Sequence, residues 1–237
     1  MSSNRFFLNE TMHENETYVL KDGEFHHLHH VMRFKKGDVI YIIDGQGTLA
    51  KGYVQKIEKN LAYVTITSLD NAHPPSFQII LMQAYANTLD DIVEKATELG
   101  ATEIWLFPGE KSERKVPNLK RLQAKTIAAT KQCNRLFLPK ISLYPKLKSC
   151  VKPEFSLYYG SFEEKSRPLI TAWQTDPPHN GIIIAIGPEK GFSEQEVTIF
   201  HAWNGTPIRL HDNTLRTETA SLSALAMISM LKALHFS

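Results

Sequence analysis

Two stretches of the chain carry residue types that could do chemistry. Residues 186–196 read IGPEKGFSEQE and follow the apolar run GIIIA, which begins at Gly181; residues 211–220 read HDNTLRTETA and precede an apolar helical pattern. Gly187 and Gly191 would let backbone N–H groups approach a ligand, and a helix N-terminus just beyond them would favour an anion such as phosphate. The spelling opposes that ligand. Neither a Gly-x-x-x-x-Gly-Lys-Ser/Thr run nor a Gly-x-Gly-x-x-Gly fingerprint is present, Pro188 removes one donor, and Glu189 puts a carboxylate where a phosphate would sit. A cationic or neutral ligand fits better. A purely structural role fits as well, because Ser193 and Glu196 have the spacing of a capping box and Val197 and Phe200 would then face a core.

In the second stretch, Arg216, Thr217, Glu218 and Thr219 crowd the junction between a strand and a helix. A cap needs only one of the two threonines, so the surplus favours a binding loop at the carboxyl end of an open sheet. HHLHH at 26–30 places His26 and His30 four residues apart, but without a carboxylate or cysteine the pair falls short of a zinc site. Packing or surface roles are the better reading for these histidines. Cys133, in KQCNR, has neighbouring cations that could lower its pKa but no base near it in sequence, and reads as a small core or pocket residue.

The elements that must position these residues fall into two groups. RFFL, YVL, DVIYIID, LAKGYVQKI and LAYVTITSL are short β-branched and aromatic runs separated by turn material such as KKGD and DGQG, with one helical stretch near GEFHHLHHVMR. They predict a small barrel or sandwich over 1–72. DNAHPPSF breaks the pattern as a linker. Over 73–237 strands and helices alternate: FQIILMQAYA, EIWLF, FSLYYG, GIIIAIG and PIRL as strands; TLDDIVEKATELG, NLKRLQAKTIAATKQC (with Asn118 as cap) and a final helix from about Glu218. This predicts an α/β domain with a mostly parallel sheet.

The chain has 237 residues, 42% of them hydrophobic and 22% charged, ordinary values for one large or two modest globular domains. Its apolar runs stop short of bilayer thickness and MSSNRFFLNE lacks a secretory pattern, so a cytoplasmic protein is expected. Cys133 and Cys150 are the only cysteines, too few and too far apart for a disulfide framework or a zinc site. The net charge is only +2, yet residues 111–152 hold twelve Lys or Arg against one acid, Glu113. That density suits a polyanion such as nucleic acid and equally a solvated face.

EKATELG at 94–100, KQCNR at 131–135, IGPEKGFSEQE and LHDNTLRTETA at 210–220, with HHVMRFKKGD at 29–38, together resemble the ribosomal RNA small subunit methyltransferase E family in order and spacing. The resemblance covers nearly the whole chain. It implies a SPOUT-class α/β domain over 73–237 with a deep trefoil knot, an obligate homodimer, and a PUA-like RNA-binding barrel over 1–72. It implies methylation of N3 of one uridine in 16S rRNA from S-adenosylmethionine, with no metal, on rRNA or the small ribosomal subunit. Ile186, Gly187, Gly191, Leu210, His211, Leu215 and Thr217 would hold the cofactor. Arg216 would stabilise negative charge on the base, with Glu189 or Glu218 taking the proton. Arg5, Arg33, Lys35, Arg114, Lys115 and Arg135 would contact RNA. The chain departs from the family pattern at Lys190 and His211, where glycines are usual, and in NTLDDIV, which lacks an expected lysine. A catalytically silent RNA-binding or ribosome-assembly protein, or a ribose 2'-O-methyltransferase of the same class, are the competing readings.

Overall fold

The computed structural model describes residues 5–112, 116–150, 154–163 and 165–235. The chain divides into two compact units, Met1–Pro74 with Ile127–Leu138, and Pro75–Thr126 with Pro139–Ser237. The linear division at 72/73 therefore differs from the observed one in the segment 127–138.

In the first unit, strands β1 (Arg5–Phe7), β2 (Thr17–Leu20), β3 (Val39–Ile43), β4 (Thr48–Glu58) and β5 (Leu61–Asn71) form one sheet in the order β1-β3-β4-β5-β2. Only β1 and β3 pair in parallel. Two register shifts in β4 against β5, at Lys51/Gly52 and Val54/Lys56, bend the long hairpin. One core buries Phe6, Leu20, Ile40, Ile42, Val54, Val64 and Ile66 together with Phe25 and Leu28 from a helical stretch. That stretch is a short α1 (Asp22–His26) running into one π-helical turn, His27–Val31. DGQG is more than a turn. Gly45 and Gly47 have positive φ, and a Cβ on either would lie 2.5 Å from Leu138 or Phe137, so the pair seats the segment 127–138.

The second unit is a seven-stranded sheet in which every pairing is parallel. Its strands are β6 (Gln78–Ala84), β7 (Glu103–Phe107), β8 (Lys140–Leu143), β9 (Ser156–Gly160), β10 (Arg167–Pro168), β11 (Gly181–Ile186) and β12 (Thr206–Arg209), in the order β10-β12-β9-β11-β6-β7-β8. The last two strands are each inserted between strands laid down earlier, β11 between β6 and β9, β12 between β9 and β10. The helices are α2 (Leu89–Glu98), α3 (Leu119–Gln132, of which the residues from Ile127 onward fall in the first unit), α4 (Leu169–Thr175), α5 (Glu194–Ala202) and α6 (Thr217–His235). Helix α2 buries Leu89, Ile92, Val93 and Ala96, one helical face, and stops at Gly100 with φ +94. Asn118 Oδ1 accepts from Arg121 N at 3.1 Å, the expected cap of α3. Strands β8 and β10 and helix α4 were not expected; two are too short and too mixed in composition to show a period, and α4 has only seven residues. Two apolar cores cover the two faces of the sheet, which is why β11 is buried at all six positions.

Candidate functional site

Strands β12, β9 and β11 are neighbours, and the loops leaving their carboxyl ends surround one cavity of about 320 Å³. Loop 161–163 follows β9, loop 187–193 follows β11, and loop 210–216 follows β12. Parallel strands deliver all their chain exits to the same edge, so three segments distant in sequence converge there.

Ile186, Gly187, Gly191, Leu210, His211, Leu215 and Thr217 all line this cavity, and so does Glu189. Arg216 is exposed and Glu218 half-buried; neither is part of the lining, although both sit beside it at the start of α6. Glu218 accepts a long hydrogen bond, 3.4 Å, from Thr88 Oγ1. The ionisable lining is Glu163, Glu189, Asp212, Arg209 and His211, three acids against one arginine, with an exposed Arg209–Asp212 pair at 3.8 Å. That balance favours a cationic ligand over a phosphate.

The loops are locked by a polar network whose centre the sequence reading missed. Gln83, fully buried on β6, donates from Nε2 to Thr217 Oγ1 at 3.1 Å and to Ala84 O at 2.9 Å, while its Oε1 accepts from Ser221 Oγ at 2.5 Å. Thr217 Oγ1 donates in turn to Gly187 O at 2.7 Å. One side chain therefore fixes the start of α6 against the loop after β11. The signal was a polar residue inside FQIILMQAYA, since a buried amide in an apolar strand must find partners.

Loop 187–193 has both of the roles that its spelling left open. Gly191 N donates to Pro188 O at 2.8 Å, closing a turn that leaves Gly191 at φ +67. Both arms of the capping box form: Glu196 N donates to Ser193 Oγ at 3.1 Å and Ser193 N to Glu196 Oε2 at 2.8 Å. The second Glu196 oxygen accepts from Glu110 N at 3.0 Å, and Lys111 Nζ donates to Phe192 O at 2.8 Å. The residues just before Glu113 are thus tied to the cavity loop; Arg114 and Lys115 lie outside the described residues. His211, one of the departures from the family pattern, accepts from Asn213 N at Nδ1, 2.9 Å. In the neutral ring the proton is then on Nε2, a donor at the cavity wall.

The remaining expected residues belong to the first unit. Arg33 and Lys35 are exposed, Arg33 with φ +56 and the turn after it held by Lys35 N donating to Asp38 Oδ2 at 2.7 Å. Arg5 is half-buried, and its buried Nη1 has no hydrogen-bond partner. Burial pushes the Arg135 guanidinium below its ordinary range. Exposed His26 and His30 meet at a tilt of 39° with ring centroids 5.1 Å apart, His27 is held below its usual pKa by burial and then by nearby Lys131, and Lys131 Nζ donates to Glu24 at 2.6 Å. Among the described residues no group of three or more His, Cys, Asp or Glu is arranged to hold a metal. Cys150 is buried, which pushes its thiol up to about 12, and Cys133 is half-buried; both are free. No described helix is long and apolar enough to cross a membrane.

Residues 73–229 match the model of the RNA methyltransferase domain and residues 20–67 that of the RNA methyltransferase PUA domain. The chain is 28% identical to Ribosomal RNA small subunit methyltransferase E of Rickettsia conorii, covering 98% of this chain and 97% of that protein. It is similar to the crystal structure of a Ribosomal RNA small subunit methyltransferase E from Neisseria gonorrhoeae bound to S-adenosyl methionine, with 26% identity, a TM-score of 0.81, and coverage of 96% and 97%. The same fold occurs in a putative methyltransferase from Legionella pneumophila, TM-score 0.85 at 23% identity, covering 99% of this chain and 98% of that one.

Proposed function

The chain belongs to the RNA methyltransferase domain family, and from that membership we propose that it methylates N3 of a uridine in 16S rRNA of the small ribosomal subunit. The observation that carries this reading is the single cavity enclosed by three strand-end loops, lined by every residue expected to hold the cofactor. Its volume, about 320 Å³, lies at the lower end of the range for small-molecule sites. Ile186, Ile208, Leu210, Leu215 and Ala220 provide apolar walls, and Glu163 and Glu189 provide negative charge suited to a sulfonium. S-adenosylmethionine, the ligand of the Neisseria relative, supplies the electrophilic methyl group when bound here.

The chain's own residues have three tasks. Gly187, Gly191 and the 210–217 loop hold the donor, and the Gln83 network keeps those loops in register before substrate arrives, so little reorganisation is left for the reaction. Uracil N3 carries a proton and must lose it. Glu189, which lines the cavity, is our choice of base, with Glu218, outside the lining at the start of α6, as the alternative. Arg216, exposed beside the cavity, would approach the anionic base once RNA is seated. Residues 1–72 are read as the RNA-binding domain, with Arg5, Arg33 and Lys35 on it, and with Arg135, on the segment 127–138, Arg114 and Lys115 as further phosphate contacts. A homodimer and the knotted SPOUT threading belong to the same reading, as does action in the cytoplasm.

The test is mass spectrometry of 16S rRNA from a strain lacking the gene, complemented by the wild type or by Arg216→Ala. One uridine N3-methyl should disappear on deletion, return with the wild type, and stay low with the variant. An unchanged methylation map, or a missing methyl on a ribose, would overturn the proposal.

A further inference from the structure

We propose that Phe162 is the stacking face for the acceptor base, a uracil of unpaired RNA presented at the mouth of the cavity. This rests on the function proposed above. Phe162 lies in the loop after β9 and lines the cavity between Ser161 and Glu163. Its side chain is nevertheless 69% exposed. The nearby aromatics behave differently: Tyr159 stacks on Phe200 at 4.9 Å, and Phe192 meets Phe200 edge-on at 4.8 Å, all within the core on one side of the sheet. Phe162 has no ring partner among the described residues. Its ring edge sits against the 188–191 turn, because a Cβ built on Gly191 would be 3.1 Å from Phe162 Cε2 and 3.4 Å from Cδ2. Gly191 thus has two reasons to be glycine, its positive φ and the room it leaves for this ring.

A lone exposed phenylalanine needs no explanation by itself. Its position at the mouth of a cavity built for group transfer supplies one. N3 is on the pairing edge of uracil, so the base must be unpaired and drawn out of its stack before the edge can reach a donor held by Gly187 and Thr217. Leaving the stack costs free energy, and an aromatic ring at the destination offsets part of it. A phenyl ring offers no hydrogen bonds. It therefore supports the face of the base and leaves its edge to polar groups that line the same cavity, Glu189 and His211. The adenine of the cofactor is the other possible occupant, but adenine needs an enclosed slot, and a ring two-thirds in solvent does not make one.

The test uses the full-length protein with small ribosomal subunits purified from the deletion strain. Phe162→Ala and Phe162→Leu should lower kcat/KM for subunits by about tenfold or more, the size expected for one lost base–aromatic stack, while S-adenosylmethionine affinity by calorimetry changes less than about twofold. Phe162→Tyr and Phe162→Trp should retain most of the activity, since the ring face is what counts. The Trp variant should also show fluorescence quenching on adding subunits beyond that of the wild type, a direct report of stacking that a structural role would not produce. If Ala and Leu weaken cofactor binding and leave the subunit dependence unchanged, Phe162 covers the cofactor and the proposal falls. If Leu is as active as Phe, stacking is not its role. A wild type that binds the cofactor but methylates no subunit overturns the proposed function, and this inference with it.

Discussion

In the first unit β4 alternates between buried and exposed positions along most of its length, whereas in the second β11 buries all of Gly181–Ile186. The first sheet has one wet face, and the unit carries Arg33, Lys35, His26 and His30 on its exposed surface. The second sheet is covered on both faces by apolar cores, so only the ends of its strands can meet a ligand. Chemistry is confined there to the loops after β9, β11 and β12. The contrast sets exposed cations on one unit against a small cavity at the strand ends of the other, in keeping with the proposed division between RNA binding and donor binding. It also says that the two activities should be separable by mutation.

The largest expected effect is in the second unit. Gln83→Leu keeps the side-chain volume but removes the groups that join Thr217, Ser221 and the loop after β11, at a stability cost of about 1–3 kcal/mol. Cofactor affinity measured by calorimetry should fall by about tenfold, since each 1.4 kcal/mol of lost preorganisation is a factor of about ten. RNA affinity should barely move. Unchanged cofactor affinity would show that the loops hold themselves. A smaller effect of opposite selectivity is expected for the double variant Arg33→Ala, Lys35→Ala. RNA binding across a salt series should weaken several-fold at low salt and lose about 1.5 units of salt slope, with cofactor affinity unaltered. Parallel salt slopes would remove these residues from the interface.

The smallest effect separates scaffold from site within the second unit. Glu94 accepts from Lys125 at 2.9 Å and from Lys95 at 3.1 Å, and these bonds hold its carboxyl below the usual carboxylate range. A depressed folded-state pKa contributes stability that is present above the unfolded value and lost as pH falls through the folded one. Glu94→Gln should therefore lower Tm slightly at pH 7, and the gap should close in acid, below the usual carboxylate range, as the wild-type carboxylate is protonated. Cofactor affinity at pH 7 should be the same for both. A gap that persists in acid would show that the carboxylate charge is not what links α2 to α3.

Much of this protein was legible in its sequence because the relevant signals are local. Short β-branched and aromatic runs separated by turn material such as KKGD and DGQG predicted the five strands of the first unit, and a helical period ended by Gly100 and a cap at Asn118 located α2 and α3. The S-x-x-E spacing predicted the capping box, and the glycine spacing around Pro188 predicted a turn that a ligand could approach. What the sequence could not contain was the meeting of segments far apart in the chain. That β11 inserts between β6 and β9, and β12 between β9 and β10, is decided by tertiary pairing of strands far apart in the chain, and it alone brings 161–163, 187–193 and 210–216 to one cavity. Gln83 acquires its role only when β6 passes beneath the start of α6, 134 residues away along the chain. Gly45 and Gly47 likewise look like ordinary turn glycines until Phe137 and Leu138 come to rest on them. Local propensity acts over a few residues, whereas these contacts depend on burial and polar satisfaction across the whole domain.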